Sequence, residues 1–277
     1  MFSLLRHELR IRRGAIIGWS IGLTVFVAYI VFLYPEIQPM LARLDLTDIP
    51  IYQAMAGQIA NLASLSGYLN VYLMAYLPLI LSIYAIVNGT GTLAGVEDNG
   101  TLEIPLSLPL ARWQIVVAKA LALAAGLFLV LLLTGLVAAA ALAAISDQVG
   151  PTDIAPADVA LAVLGAWPLT LFFGQLSLFL GAYLPSRRLA AVVATVVLIA
   201  TYFANNLAGL SDGLERLQAL YPFHYFDGRQ LLSEGIDLDG GLTLLGAGLF
   251  CLLLALVAFE RRNVTVGAWP WQRPRPA

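Results

Sequence analysis

Six long apolar stretches, almost free of charge, decide what this chain can become. The first, Gly14 to Tyr34, holds no charged residue; at about 1.5 Å per helical residue it reaches ~31 Å, the depth of a bilayer's hydrocarbon. The others fall at about 67–93, 113–145, 159–184, 189–207 and 241–259. In hydrocarbon every backbone polar group must pair within the chain, so a spanning segment is either a helix or a strand of a closed barrel. None of the runs alternates apolar and polar residues with period two, which excludes the barrel. The sequence therefore predicts an all-α integral membrane protein with six transmembrane helices. Composition agrees: of 277 residues, 60% are hydrophobic and only 12% charged, against about 25% charged in soluble domains.

The basic start (Arg6, Arg10, Arg12, Arg13) has the look of a signal peptide's head, but the apolar run is too long and no small-x-small cleavage site follows. The expectation is a retained first span preceded by an amphipathic cytoplasmic segment at 1–13. Basic residues favour the inner side of a membrane. With the N-terminus inside, twelve of the fifteen Lys and Arg residues lie inside, and only Arg43, Arg216 and Arg229 lie outside. Asp147 and Asp153 make the outer connection after the third span purely acidic, in agreement. Both termini are expected in the cytoplasm, in a multi-pass protein of the cell (inner or plasma) membrane. The membrane unit then covers 14–263 and a Pro-rich tail 264–277. The tail, Trp269-Pro270-Trp271-Gln272-Arg273-Pro274, is unsuited to a helix.

Three connections have length to spare: an outer loop Pro35–Ser66, an inner segment 95–112 and an outer segment 209–240. The last contains Tyr221-Pro222-Phe223-His224-Tyr225-Phe226, whose polar-tipped rings favour a membrane interface. It is expected to dip into the outer leaflet.

Chemistry-bearing motifs are scarce. Gly89-Thr90-Gly91-Thr92-Leu93-Ala94 fits G-x-G-x-x-A, but it closes a membrane span rather than a strand, so close helix packing through small residues is the better reading. Gly95 to Gly100 has the glycine spacing of a phosphate loop, yet Thr101 stands where the lysine is required. No catalytic residue, metal site, cofactor or nucleic-acid interaction is expected in this chain. His7 and His224 fall on opposite sides, and Cys251 is the only cysteine, set among Phe250 and Leu252 to Leu254 as a small core hydrophobe. Three glycosylation patterns, at Asn88, Asn99 and Asn263, lie inside or within a span and read as chance.

Ion-coupled carriers bury ionisable groups in their spans. The cores of these six hold none, and Lys119 lies near a membrane end, from which it is expected to snorkel. What the spans hold is neutral: Asn70, Tyr84, Asn88, Gln175, Asn205 and Asn206, with Thr134 and Thr201. Interhelical hydrogen bonding accounts for such residues; a substrate path is the other reading. Energy for transport would then come from a soluble ATPase docking on the inner side.

The inner segment reads Gly95-Val96-Glu97-Asp98-Asn99-Gly100-Thr101-Leu102-Glu103, then Ser107-Leu108-Pro109-Leu110-Ala111-Arg112, then Lys119. In this order the residues resemble the ABC type-2 permease family: an acidic pair, Gly-Thr-Leu-Glu, Leu-Pro-x-x-Arg and a lysine. The aromatic outer segment and the close Phe259-Glu260-Arg261-Arg262-Asn263-Val264 resemble that family's as well, with Asn263 where an aspartate is commoner. The resemblance implies a dimeric permease, built from two copies or from this chain and a close homologue, in the lipid bilayer. It also implies two separate ABC-type ATPase subunits that bind ATP and Mg, and most often export. Glu97, Asp98, Gly100, Thr101, Glu103, Pro109 and Arg112 would form the ATPase-coupling loop. Independently, Pro105 and Pro109 stiffen this acidic segment while Gly95 and Gly100 permit sharp turns, as suits a docking knob. Two alternatives stay open: a self-sufficient carrier or channel, and an intramembrane enzyme or membrane assembly factor.

Overall fold

The structure, a computed structural model, describes residues 2–41, 64–98, 111–150, 152–208 and 212–261. Every regular element among them is helical: α1 (Phe2–Leu41), α2 (Leu65–Leu69), a π-helical turn (Asn70–Met74), α3 (Leu77–Asp98), α4 (Arg112–Val149), α5 (Pro156–Gly165), α6 (Trp167–Tyr183), α7 (Arg187–Asn206), α8 (Asp212–Glu215), α9 (Gly228–Ser233) and α10 (Leu238–Arg261). Six stretches are long and apolar enough to cross a membrane: α1, α2 with α3, α4, α5 with α6, α7 and α10. An all-α membrane protein of six spans is therefore what the chain forms.

Several hydroxyl side chains within these spans bond to the backbone of their own helix, which satisfies them without a partner from another element. Thr90 Oγ1 donates to the Ile86 carbonyl at 2.8 Å, Thr134 Oγ1 to Val130 at 2.7 Å and Thr201 Oγ1 to Val197 at 2.7 Å. Helix starts are fixed locally. Ser186 Oγ accepts from the Leu189 amide, and Asp227 accepts from those of Arg229 and Gln230. Gly150, at φ +74°, closes α4 in a conformation that side chains resist.

Spans two and four form the middle of the bundle. The α6 helix packs along α3 on one side and α10 on the other, α7 lies against both α3 and α6, and α4 carries α1 and α5. Consecutive spans run antiparallel. At one end Lys119 meets Glu8; at the other Asp153 accepts bonds from the Ser66 amide and hydroxyl. The two described chain ends thus share one end of the bundle, where Phe259 packs on Val116, Ala120 and Ala182.

The expected boundaries change in three places, each with a covalent reason. The cytoplasmic segment 1–13 and the first span are one helix, and Pro35 does not end it: α1 runs past Pro35 and Pro39 to Leu41. Proline removes an amide donor there, and nearby the Tyr68 hydroxyl donates to the Ile30 carbonyl at 3.0 Å. In span two, the Ala75 amide reaches back five residues to Asn70, and Pro78 follows in the first turn of α3, where its missing donor costs nothing. In span four, Pro168 cannot donate to the Leu164 carbonyl; the helix breaks at Ala166, whose amide turns back to Leu164 and Val163. The outer loop's residues 42–63 and the tail 264–277 lie outside the described residues.

Candidate functional site

The two irregular spans are broken toward the same end, and a third element fills the gap. The segment after α7 turns inward: α9 contacts α5, α2 and the π turn. Its first residue, Gly228, sits so close that a Cβ would lie 2.9 Å from Asn70 Oδ1 and would strike Met74. One turn on, Leu231 lies against Gly165, where a Cβ would come within 2.8 Å of its methyl. Leu231 and Leu232 are buried. Ahead of α9, the 3₁₀ turn Pro222–Tyr225 places Phe223 between Phe173 (centroids 5.7 Å) and Tyr202 (5.2 Å). The aromatic segment puts Tyr221, Pro222 and Phe223 into the protein, while His224 stays exposed. The result is a wedge of protein that seals the bundle at the end opposite the N-terminus. Non-helical backbone is stable at membrane depth when protein surrounds it in this way.

Below the wedge the spans close tightly. A Cβ on Gly89 would collide with Ser177 Oγ and lie 2.7 Å from the Gly174 carbonyl, so the G-x-G-x-x-A stretch is the contact of α3 with α6. Ser177 Oγ donates to the Gly174 carbonyl at 2.8 Å.

The neutral residues proposed for a substrate path each have their own neighbours. Tyr84 is buried with its ring against Trp19, centroids 5.1 Å apart. Asn88, one turn along, donates to the Tyr84 carbonyl at 2.9 Å. Asn70 belongs to the π turn beneath Gly228. Gln175 lies on the α10 side of α6, near Gly248, with Oε1 buried and without a hydrogen-bond partner. Asn205 Oδ1 is buried and unpartnered too, whereas Asn206 Nδ2 donates to the Tyr202 carbonyl at 2.9 Å.

Of the expected coupling residues, Glu97 and Asp98 end α3 and Arg112 begins α4, so the segment is hung between two spans. Gly100, Thr101, Glu103 and Pro109 lie outside the described residues.

At the end of the bundle where α4 begins is a charged cluster that sequence reasoning did not assemble. Lys119 Nζ donates to Glu8 Oε1 at 2.8 Å, and Arg12 Nη2 lies 3.7 Å from Glu8 Oε2. Lys119 is buried, so it does not snorkel to water: a carboxylate one helix away holds it. Such pairs cost desolvation and add little net stability, but they fix which faces meet. A signal for the cluster was present, because Glu8 and Arg12 continue toward the N-terminus the stripe of Ile16, Trp19, Leu23 and Val27 that α1 turns to the bundle.

A family model described as "Multidrug efflux system permease Rv1217c, C-terminal domain" matches residues 5–260. No curated protein matches the chain.

Proposed function

Because this chain belongs to the multidrug efflux system permease Rv1217c C-terminal-domain family, we propose that it is the membrane subunit of an ATP-driven exporter of the ABC type-2 kind. Two permease chains and two ABC-type ATPase subunits make up the working assembly, and ATP and Mg are bound by the ATPases. The reading takes the chain ends as cytoplasmic and the aromatic wedge as outward-facing, in line with the basic-residue bias.

One observation carries the mechanism: the acidic segment between Asp98 and Arg112 joins two spans whose principal neighbours differ. The α3 helix packs along α6 and α7, whereas α4 carries α1 and α5. A displacement delivered to that segment by an ATPase would move both spans at their base. Because α2, the π turn and α5 hold the wedge at the far end, relative movement of the spans would loosen the seal and open an outward path. Substrates of an efflux permease enter from the inner leaflet or the cytoplasm. The neutral, Tyr- and Asn-bearing surfaces favour amphiphilic solutes over small ions.

The test is reconstitution. Purified alone, the chain should hydrolyse no ATP, since no phosphate-loop lysine follows Gly100. Co-expressed with a cassette ATPase from its own genomic neighbourhood, it should co-purify with that ATPase and accumulate a fluorescent amphiphilic drug in inverted vesicles on addition of ATP. Drug movement driven by a proton or sodium gradient in vesicles holding only this chain would instead establish the carrier reading.

A further inference from the structure

Span two changes neighbours at its π turn. On the wedge side α2 touches α1 and α9, while on the other side α3 packs along α6 and α7. The α2 end is pinned twice: the Tyr68 hydroxyl donates to the Ile30 carbonyl at 3.0 Å, and the Ser66 amide donates to Asp153 Oδ1 at 3.3 Å. The turn's own residues do not demand its shape. Leu69 to Tyr76 contains neither glycine nor proline. Pro78 lets the helix break by withholding a donor from the Met74 carbonyl, but a proline adds no residue to a turn. The bond from the Ala75 amide to the Asn70 carbonyl, 3.1 Å long, spans five residues and does. Packing therefore holds the wider turn, and the wedge supplies part of it. Gly228 meets both ends of the turn: its Cβ would lie 2.9 Å from Asn70 Oδ1 and would strike Met74, which is buried.

We propose that the π turn and the wedge form one two-state latch. Seated between Asn70 and Met74, Gly228 holds the turn in π register. Unseated, the turn relaxes to α register, which turns α2 relative to α3 by one residue of helix, ~100°, and removes the seat. The change comes in a step of one residue, so the latch has two discrete arrangements rather than a continuous bend. Each arrangement of the turn favours one arrangement of the wedge, and the preference is reciprocal. The latch deepens the gating proposed above and rests on that reading only for the role of the unseated state, the outward-open one. Its parts all belong to this chain, so it is tested without nucleotide or partner.

Two reporters in the purified full chain, both in a Cys251→Ala background, test it. The first is Leu231→Cys, read by its rate of reaction with a polar maleimide. Deleting Tyr72, whose side chain is exposed, takes the extra residue out of the turn and keeps the faces that α2 and α3 give to their neighbours. Tyr72→Ala removes the same side chain and keeps the turn. The deletion should react about tenfold faster than Tyr72→Ala, the scale of one coupled contact. Gly228→Ala should also speed the reaction. Combined with the deletion it should add nothing, because the seat that the new methyl disturbs is already gone. The second reporter is a cysteine pair at Ser66 and Asp153, whose side chains meet, read by disulfide formation on mild oxidation. Gly228→Ala touches neither cysteine, yet it should slow the cross-link several-fold as α2 turns; the deletion should leave it intact. Equal rates for the deletion and Tyr72→Ala, effects that multiply in the combined variant, or unchanged cross-linking in Gly228→Ala each overturn the latch. Should the deletion fail to fold, the cross-link in Gly228→Ala decides alone: slowing upholds the latch and an unchanged rate removes it. Such a failure would leave the ATPase reading untouched, and loss of that reading would leave these rates as they are.

Discussion

Gly89 faces a carbonyl, which cannot move aside as a side-chain tip can: a Cβ there would lie 2.7 Å from the Gly174 oxygen. Gly89→Ala should therefore overpack the α3–α6 contact and destabilise the chain by roughly 1–3 kcal/mol. Gly18, with open space around its Cβ position, supplies the control; Gly18→Ala should stabilise its helix by up to about 1 kcal/mol. Thermal unfolding of both variants in one detergent makes the comparison, and a Gly89→Ala transition at or above that of Gly18→Ala would show that α6 yields. This contact was legible before any coordinates: a G-x-G-x-x-A stretch inside an apolar run has few uses other than close packing. The charged cluster was not. Glu8 and Lys119 are 111 residues apart, and only the pairing of α1 with α4 brings them together. Gln175 and Asn205 were legible as unusual residues, but their separation depends on which helix face meets which neighbour, and their own runs are apolar on every side.

At the scale of elements, apolar length located all six spans, because a membrane permits few other uses for twenty apolar residues. The ends and breaks were harder. Proline reads as a terminator, and Pro35 misleads for that reason, since its helix continues to Leu41. Trp167-Pro168 does break span four, yet hydropathy runs smoothly through it. The wedge depends on these breaks, and its hold can be tested. A single cysteine at Leu231, in a Cys251→Ala background, should resist a membrane-impermeant thiol reagent, because Leu231 is buried. Adding Phe223→Ala removes the ring held by Phe173 and Tyr202 and should make that cysteine reactive from outside the cell. Unchanged protection would mean that α9 is held by its contacts with α2 and α5 alone. The same background tests sidedness: cysteines at the exposed positions Asp147 and Ser233 should label in intact cells, and one at Glu260 should not. Labelling at Glu260 would invert the orientation.

For the whole molecule, the proposed mechanism asks how ATP energy spent in another chain would reach the wedge. Of the connections that join spans at the end bearing the described N-terminus, the one from Asp98 to Arg112 is longer than the one from Tyr183 to Arg187, and the proposed mechanism makes it the point of contact. Its acidic residues stand at an end of the bundle where basic residues predominate, so they are suited to a cleft with basic or polar walls. Glu97→Lys and Glu103→Lys, each alone, would then set like charges against each other at a partly desolvated contact, where a mismatch costs several kcal/mol. Exposed charge changes elsewhere shift stability by no more than about 0.5 kcal/mol. Glu260→Lys, exposed at the same end of the bundle, makes the same change of charge away from the segment and is the control. All three variants should reach the membrane in normal amounts. The two segment variants should lose the co-purified ATPase, or keep it without stimulating its ATP turnover, and drug accumulation in inverted vesicles should fall with that loss. A weakened dock should also recover in part when a glutamate is placed on the ATPase opposite the new lysine, which a misfolded segment would not do. If Glu97→Lys and Glu103→Lys bind the ATPase and transport as well as Glu260→Lys, the push enters elsewhere. The exposed, positively charged start of α1, which is joined to α4 through Glu8 and Lys119, would then be the next surface to reverse.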